Sequence, residues 1–259
     1  MELTIWTYLL VCPLVFLAGF IDSIAGGGGL ITLPAFLTAL GMPGINLGAA
    51  YAFGSNKIVA GLGTTVSTGR YAASGKIPWK LAVPAAAVAF VCSYFGSRWL
   101  TTLPDRFIRI AVLAALPFVA MFVLANKSGL TPKQRVPAQY TLPACMLISL
   151  VIGVYDGVVG PGTGTFLQLL FVSVIGMEVL QASGAARLVN LASNIGALIH
   201  FVGEGYVVYQ LALPAALFSM AGNYLGSTMA IKKGVPLVRA LLAVVMALLM
   251  VKMAYDLFF

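Results

Sequence analysis

Apolar residues run along this chain in long blocks, separated by short stretches where glycine, proline and charged residues collect. Ten blocks can be marked: roughly 5–24, 30–47, 49–69, 79–99 and 107–125, then 139–159, 164–180, 182–202, 207–230 and 236–258. Several reach about 20 residues, the length a helix needs to cross a hydrocarbon core of ~30 Å. The blocks lack the alternation of barrel strands, and a chain in lipid must satisfy its backbone internally, so the pattern predicts helices. The second block of each five is short and glycine-flanked, which predicts a broken or re-entrant helix in both places. No polar stretch exceeds loop length, so no soluble domain is expected.

The blocks also repeat. Gly19-Phe20-Ile21-Asp22 matches Gly153-Val154-Tyr155-Asp156, and glycine-rich backbone follows each. Further on, Gly54, Lys57, Arg70, Gly75 and Pro84 recur 130 residues later as Gly184, Arg187, His200, Gly205 and Pro214. Tyr94, Gly96, Ser97 and Arg109 recur as Tyr224, Gly226, Ser227 and Arg239 at the same offset. The expected architecture is therefore an all-α polytopic membrane protein of two homologous repeats, 1–126 and 139–259, joined by a cytoplasmic linker, 127–138. Each repeat holds about five helical segments. Arg70, Lys76 and Lys80 follow the third block; Lys127, Lys133 and Arg135 lie in the linker; Lys232, Lys233 and Arg239 precede the last block. All three groups share one face only if each repeat crosses an odd number of times, which favours inverted repeats. The loop bearing Arg98, Arg106 and Arg109 fits this poorly, and four crossings per half would make the repeats parallel instead.

Polar positions inside the blocks carry the chemistry. Four glycines, Gly26, Gly27, Gly28 and Gly29, follow Asp22 and Ser23, and Gly162, Thr163, Gly164 and Thr165 follow Asp156. Consecutive glycines cost about 1 kcal/mol each in a helix, and broken backbone at membrane depth must line a cavity or be buried in protein. A helix restarting after such a break aims free N–H groups at it, an arrangement suited to anions. Close packing through small residues is the alternative. Lys57 falls about two residues from the centre of its block, with Arg187 equivalent to it. A basic residue at a helix centre costs ~2.5–3.5 kcal/mol on insertion scales and calls for a partner or water. Asn190 and Asn194 continue a helical stripe from Arg187; Ser55 and Asn56 precede Lys57, with Gly61 and Thr64 beyond it. Such stripes would line a site for a small anion, or the two cations would neutralise Asp22 and Asp156. The two aspartates are also the candidate proton carriers.

Composition narrows the class further. The chain is 61% hydrophobic and 8% charged, against roughly 25% charged in soluble domains. Met1 to Leu10 lacks a basic leader region, so a first transmembrane helix is expected rather than a cleaved signal. The net charge of +8 sits mostly in short loops, which explains it without nucleic acid. Cys12, Cys92 and Cys145 lie inside apolar blocks and read as small hydrophobes. His200 sits at a helix end; Glu178 and Glu204 read as loop residues, and Tyr51, Trp79 and Trp99 as an aromatic belt. No metal-ligand cluster, cofactor motif or nucleophile–base pair is visible, so neither an enzyme nor a cofactor is expected.

With GFIDSIAGGGGLITLP and AFGSNKIVAGLGT in the first half, and GVYDGVVGPGTGTF and ASGAARLVNLASNIGALIHF in the second, the chain resembles the TauE/SafE family of sulfite and sulfonate exporters. The resemblance covers essentially the whole chain. It implies a multi-pass carrier of the bacterial inner membrane that moves small sulfur-containing anions such as sulfite, sulfoacetate or other organosulfonates, mostly outward, by secondary transport. Matching motif positions would place the site on Asp22, Ser23, Gly26 to Gly29, Ser55, Asn56 and Lys57, with Asp156, Gly162 to Thr165, Arg187, Asn190 and Asn194. Expected partners are the anion, lipid and possible coupling protons, in a monomer or homodimer. An anion channel, or a carrier of another anion such as a carboxylate, satisfies the same residues.

Overall fold

The computed structural model describes residues 3–42, 45, 47–125, 132 and 134–233. The last expected segment, 236–258, lies outside the described residues, as do Lys127, Lys133 and Arg239. Among the described residues the chain is all-helical: α1 Ile5–Ala25, α2 Gly29–Leu40, α3 Ala49–Ala73, α4 Trp79–Leu100, α5 Asp105–Ala125, α6 Thr141–Val158, α7 Thr163–Leu170, α8 Val179–Gly203 and α9 Tyr209–Lys233. A 3-10 turn, Ala138–Tyr140, leads into α6, and a π-wound turn, Phe171–Ile175, extends α7. Among the described residues four helices, α1, α4, α6 with its preceding turn, and α8, are long and apolar enough to cross a membrane.

The two glycine-flanked segments are short, as expected. At 1.5 Å per residue α2 rises about 18 Å and α7 with its π turn no more than ~20 Å, short of a ~30 Å core. Glycine ends the helix before each. Gly26 takes φ 86° and donates its N–H to the Asp22 carbonyl at 2.8 Å; Gly160 and Gly162 take φ 86° and 83°. These left-handed conformations are open to glycine at no steric cost.

Some boundaries differ from expectation. Arg70 is not in a loop but in the last turn of α3, which runs to Ala73. Its Nη2 donates to Thr228 Oγ1 at 2.8 Å, and its guanidinium stacks 4.8 Å from the Tyr224 ring. This partner lets α3 continue past the drop in hydropathy. Lys232 likewise belongs to the end of α9.

Packing joins the halves through exchanged partners. α4 packs against α6 and α8, and α1 and α3 pack against α9. Small residues permit these contacts: Gly157 of α6 sits on the Ser93 and Ser97 backbone of α4, and Gly222 of α9 meets Phe16 and Phe20 of α1. The equivalent helices α3 and α8 cross antiparallel. Gly54 near the start of α3 meets Phe201 near the end of α8, and Gly61 meets Asn194. At the other end Gly184 of α8 meets Lys76 just beyond α3.

Loops therefore sort to two faces. On the first face Tyr8 donates to the Gln210 carbonyl, Tyr51 packs edge-on to Tyr206, and His200 bonds Thr101. Asp105 caps the N-terminus of α3 through the Ala49 N–H and pairs with Arg109 at 2.7 Å. On the second face Lys76 adjoins Gly184, the linker residue Gln134 adjoins Gly176, and Arg70 adjoins Thr228.

Candidate anion site between the helix breaks

The two breaks meet backbone to backbone. A Cβ on Gly26 would land on the Gly164 main chain, and the Thr165 N–H donates to the Gly26 carbonyl at 3.0 Å. The Thr165 hydroxyl donates to the Ala25 carbonyl at 2.9 Å. Part of the glycine content thus serves close packing, and part serves an opening beside it. A cavity of about 40 Å³ lies where the breaks cross, room for about three waters at ~10–15 Å³ each.

Each aspartate stands about one turn before its break and holds the half-helix that follows. Asp22 Oδ1 accepts the Gly28 N–H at 3.0 Å, at the start of α2. Asp156 Oδ1 accepts the Thr163 hydroxyl at 2.8 Å, at the start of α7. A carboxylate at a helix N-terminus satisfies donors that would otherwise lack partners. The charge beside the floppiest backbone is therefore what fixes that backbone.

Both aspartates also pair with a cation from the opposite half. Lys57 Nζ donates to Asp156 Oδ2 at 2.6 Å and to the Asp156 carbonyl at 3.0 Å; Arg187 Nη1 donates to Asp22 Oδ2 at 2.7 Å. Arg187 is fully buried and Lys57 is 2% exposed. Neither cation points to lipid headgroups. Each stands four residues to the N-terminal side of its helix centre, Gly61 in α3 and Leu191 in α8, or about 6 Å off centre at 1.5 Å per residue. The expected distance from the centre was half that. Because α3 and α8 run antiparallel, the two cations sit on opposite sides of the Gly61–Asn194 contact.

Most of the residues singled out by sequence come together. Asp22, Gly26, Gly28 and Gly29 line the cavity from the first break, with Asn56 and Lys57 from α3. Asp156, Gly162, Thr163 and Gly164 line it from the second break, with Asn190 and Asn194 from α8. Others do not face it. Ser23 donates to the Phe20 carbonyl, and its own carbonyl accepts Tyr71. Ser55 accepts the Val208 N–H at 2.9 Å and so braces a loop. Gly27 in the first break and Thr165 in the first turn of α7 stand outside the lining, and Arg187 reaches it only through Asp22 and Gly164.

Ser219 and Asn223 of α9 and Thr32 of α2 line the cavity and were missed. Ser193 was missed too; its hydroxyl bonds Asp156 Oδ2. A signal existed for α9: Ser219, Asn223 and Ser227 recur every fourth residue, a polar stripe on an otherwise apolar helix. No group of three or more metal-ligating side chains exists among the described residues.

Residues 11–253 match the sulfite exporter TauE/SafE family. The chain is 36% identical over 245 residues to a probable membrane transporter protein, ORF9, of Sinorhizobium sp, covering 93% of this chain and 90% of that one. It is 34% identical over 249 residues to a probable membrane transporter protein of Haemophilus influenzae, covering 93% and 92%. YfcA of Escherichia coli K12, also a probable membrane transporter protein, is 33% identical over 245 residues, covering 93% and 87%. No solved structure matches. With its buried charges, paired breaks and apolar helices, the chain belongs to the TauE/SafE family and is a multi-pass inner-membrane transporter rather than an enzyme.

Proposed function

We propose that the protein carries a small sulfur-containing oxyanion, such as sulfite, sulfoacetate or another organosulfonate, outward across the inner membrane. The observation that carries this reading is the cavity at the crossing of the two breaks, walled by polar backbone, asparagines and the Lys57–Asp156 pair, with Arg187 behind Asp22. The halves 1–126 and 139–259 act as inverted repeats that rock about this point. The antiparallel crossing of α3 and α8 supports inversion. Lys76, Lys80, Arg135 and Lys232 belong to the second face, which the positive-inside rule makes cytoplasmic.

Charge balance bears on coupling. Lys57 and Arg187 are matched by Asp156 and Asp22, so the four groups sum to zero. An anion entering alone would leave a buried negative charge unpaired, which is strongly unfavourable. A singly charged anion that enters as a carboxylate takes up a proton leaves the sum at zero; a dianion such as sulfoacetate calls for a second proton, on the other carboxylate or on the ligand itself. Asp22 and Asp156 are therefore the candidate proton carriers in this reading, and transport is secondary.

The test is binding of sulfoacetate and sulfite to purified protein by thermal shift, followed by counterflow of labelled sulfoacetate in proteoliposomes. Expected are saturable binding, trans-stimulated flux and weaker binding in Asn190→Leu, which replaces a polar wall with an apolar one of similar volume. No response to sulfite or sulfoacetate would overturn the reading, and a response to acetate alone would make the protein a carboxylate carrier instead. Conduction in planar bilayers far above carrier rates, without trans-stimulation, would make the protein an anion channel.

A further inference from the structure

Resting on that reading, we infer that the two half-sites are unequal: Arg187 and Asp22 bind the oxyanion and take up the proton, while Lys57 and Asp156 remain a fixed pair. The repeat makes these groups equivalent in sequence; their surroundings do not match.

Asp156 is held from several sides. Lys57 clasps both its carboxylate and its carbonyl, and the Ser193 and Thr163 hydroxyls also reach the carboxylate. Its side chain is 4% exposed. Those donors occupy three of the carboxylate's roughly four lone-pair sites, so a proton finds only one open, against two on Asp22. Asp22 is held more lightly, by one backbone N–H on Oδ1 and one guanidinium N–H on Oδ2; its side chain is 13% exposed, and it lines the cavity. The other groups around Asp22 are few. From α3 come Lys57 on the cavity wall and Tyr71, whose hydroxyl donates to the neighbouring Ser23 carbonyl. The end of α6 contributes Asp156; α7 and α9 contribute uncharged Thr163, Ser219 and Asn223.

The cations differ in the same sense. Lys57 spends two donors on Asp156. Arg187 spends Nη1 on Asp22, yet its Nε and Nη2 are fully buried with no partner. Those two N–H groups lie along one edge of the guanidinium and point the same way, a fork that matches two oxygens of a sulfonate, sulfite or carboxylate. Buried donors without partners are costly, and a ligand that supplies two acceptors removes that cost. The edge meets the cavity wall at Gly164, where a Cβ would lie 2.7 Å from Nη2. Nη2 packs against this glycine and Arg187 is fully buried, so the fork opens to the cavity only when the Asp22–Arg187 contact parts.

The experiment follows labelled sulfoacetate binding and proton-gradient-driven flux against pH for the wild type and four variants in proteoliposomes. Asp22→Asn, which imitates the protonated acid, is expected to keep binding, flatten its pH dependence and uncouple flux from the proton gradient. Arg187→Lys, which keeps the charge but loses the fork, is expected to bind about tenfold more weakly. Asp156→Asn is expected to lower stability while keeping the wild-type pH slope. Should that variant fail to fold, Ser193→Ala removes one donor from Asp156 and is expected to leave the slope intact. A slope flattened by Asp156→Asn or Ser193→Ala but not by Asp22→Asn, or wild-type binding by Arg187→Lys, overturns the inference while the transport reading stands. No binding of either sulfoacetate or sulfite by the wild type overturns both.

Discussion

Replacing Lys57 by Met removes one member of a pair that is 2% and 4% exposed. The volume is nearly kept, so little of the effect comes from a cavity. What remains is Asp156, ionised and buried, with the Ser193 and Thr163 hydroxyls but no cation. Removing one partner of a buried pair typically costs about 3–5 kcal/mol, because the survivor's charge is uncompensated. Replacing both, as Lys57→Met with Asp156→Asn, removes both charges and leaves only hydrogen-bonding groups that retain the hydroxyl partners. The double variant is expected to cost less than Lys57→Met alone, and the coupling energy to exceed about 1 kcal/mol. Equilibrium unfolding of the purified protein in mixed micelles, followed by circular dichroism, measures all four corners of the cycle. A double variant whose cost equals the sum of the singles would refute the reasoning: it would mean that the two groups do not sense one another in the folded membrane protein.

Gly26→Ala places a Cβ onto the Gly164 backbone at φ 86°; left-handed strain of ~1–2 kcal/mol and overpacking of ~1–3 kcal/mol should lower stability by about 2–5 kcal/mol in the same assay. Gly69→Ala in α3 meets no neighbour and should raise stability by about 0.5–1 kcal/mol; equal effects at the two positions would show that the breaks do not touch. Asp105→Ala removes the cap on α3 and the Arg109 partner, for a loss of about 0.5–2 kcal/mol, which Asp105→Asn should largely restore.

The charged residues of the site were legible because lipid makes them conspicuous. Asp22, Lys57, Asp156 and Arg187 interrupt apolar blocks where each bears a solvation cost, so their presence calls for partners. The breaks were legible because polyglycine is a poor helix. Partner choice was not legible. Nothing in the spacing indicates that Asp22 pairs with Arg187 across the molecule, since that follows from how α1, α3 and α8 pack. The depth of Lys57 was misjudged for a related reason: α3 extends four residues beyond the apolar block because Arg70 finds Tyr224 and Thr228 on α9. The Ser219 and Asn223 stripe could be seen on α9, but only the fold turns it toward the cavity rather than into a helix–helix contact.

Both ion pairs bridge the halves, and this ties charge to conformation. Relative motion of the halves strains Asp22–Arg187 and Asp156–Lys57 together unless the segments of one pair move as a unit. Opening both would cost about 6–10 kcal/mol at ~3–5 kcal/mol each. Millimolar affinity is a net gain of about 4 kcal/mol, so the ligand's contacts must supply about 7–9 kcal/mol if one pair opens and about 10–14 kcal/mol if both do. A carrier of this design needs least from its ligand when it keeps one pair shut through its cycle and uses the other as the exchangeable contact. The lightly held aspartate and the arginine with an unused donor edge belong to the same pair, so the pair that is easiest to open is also the one with most to offer an oxyanion.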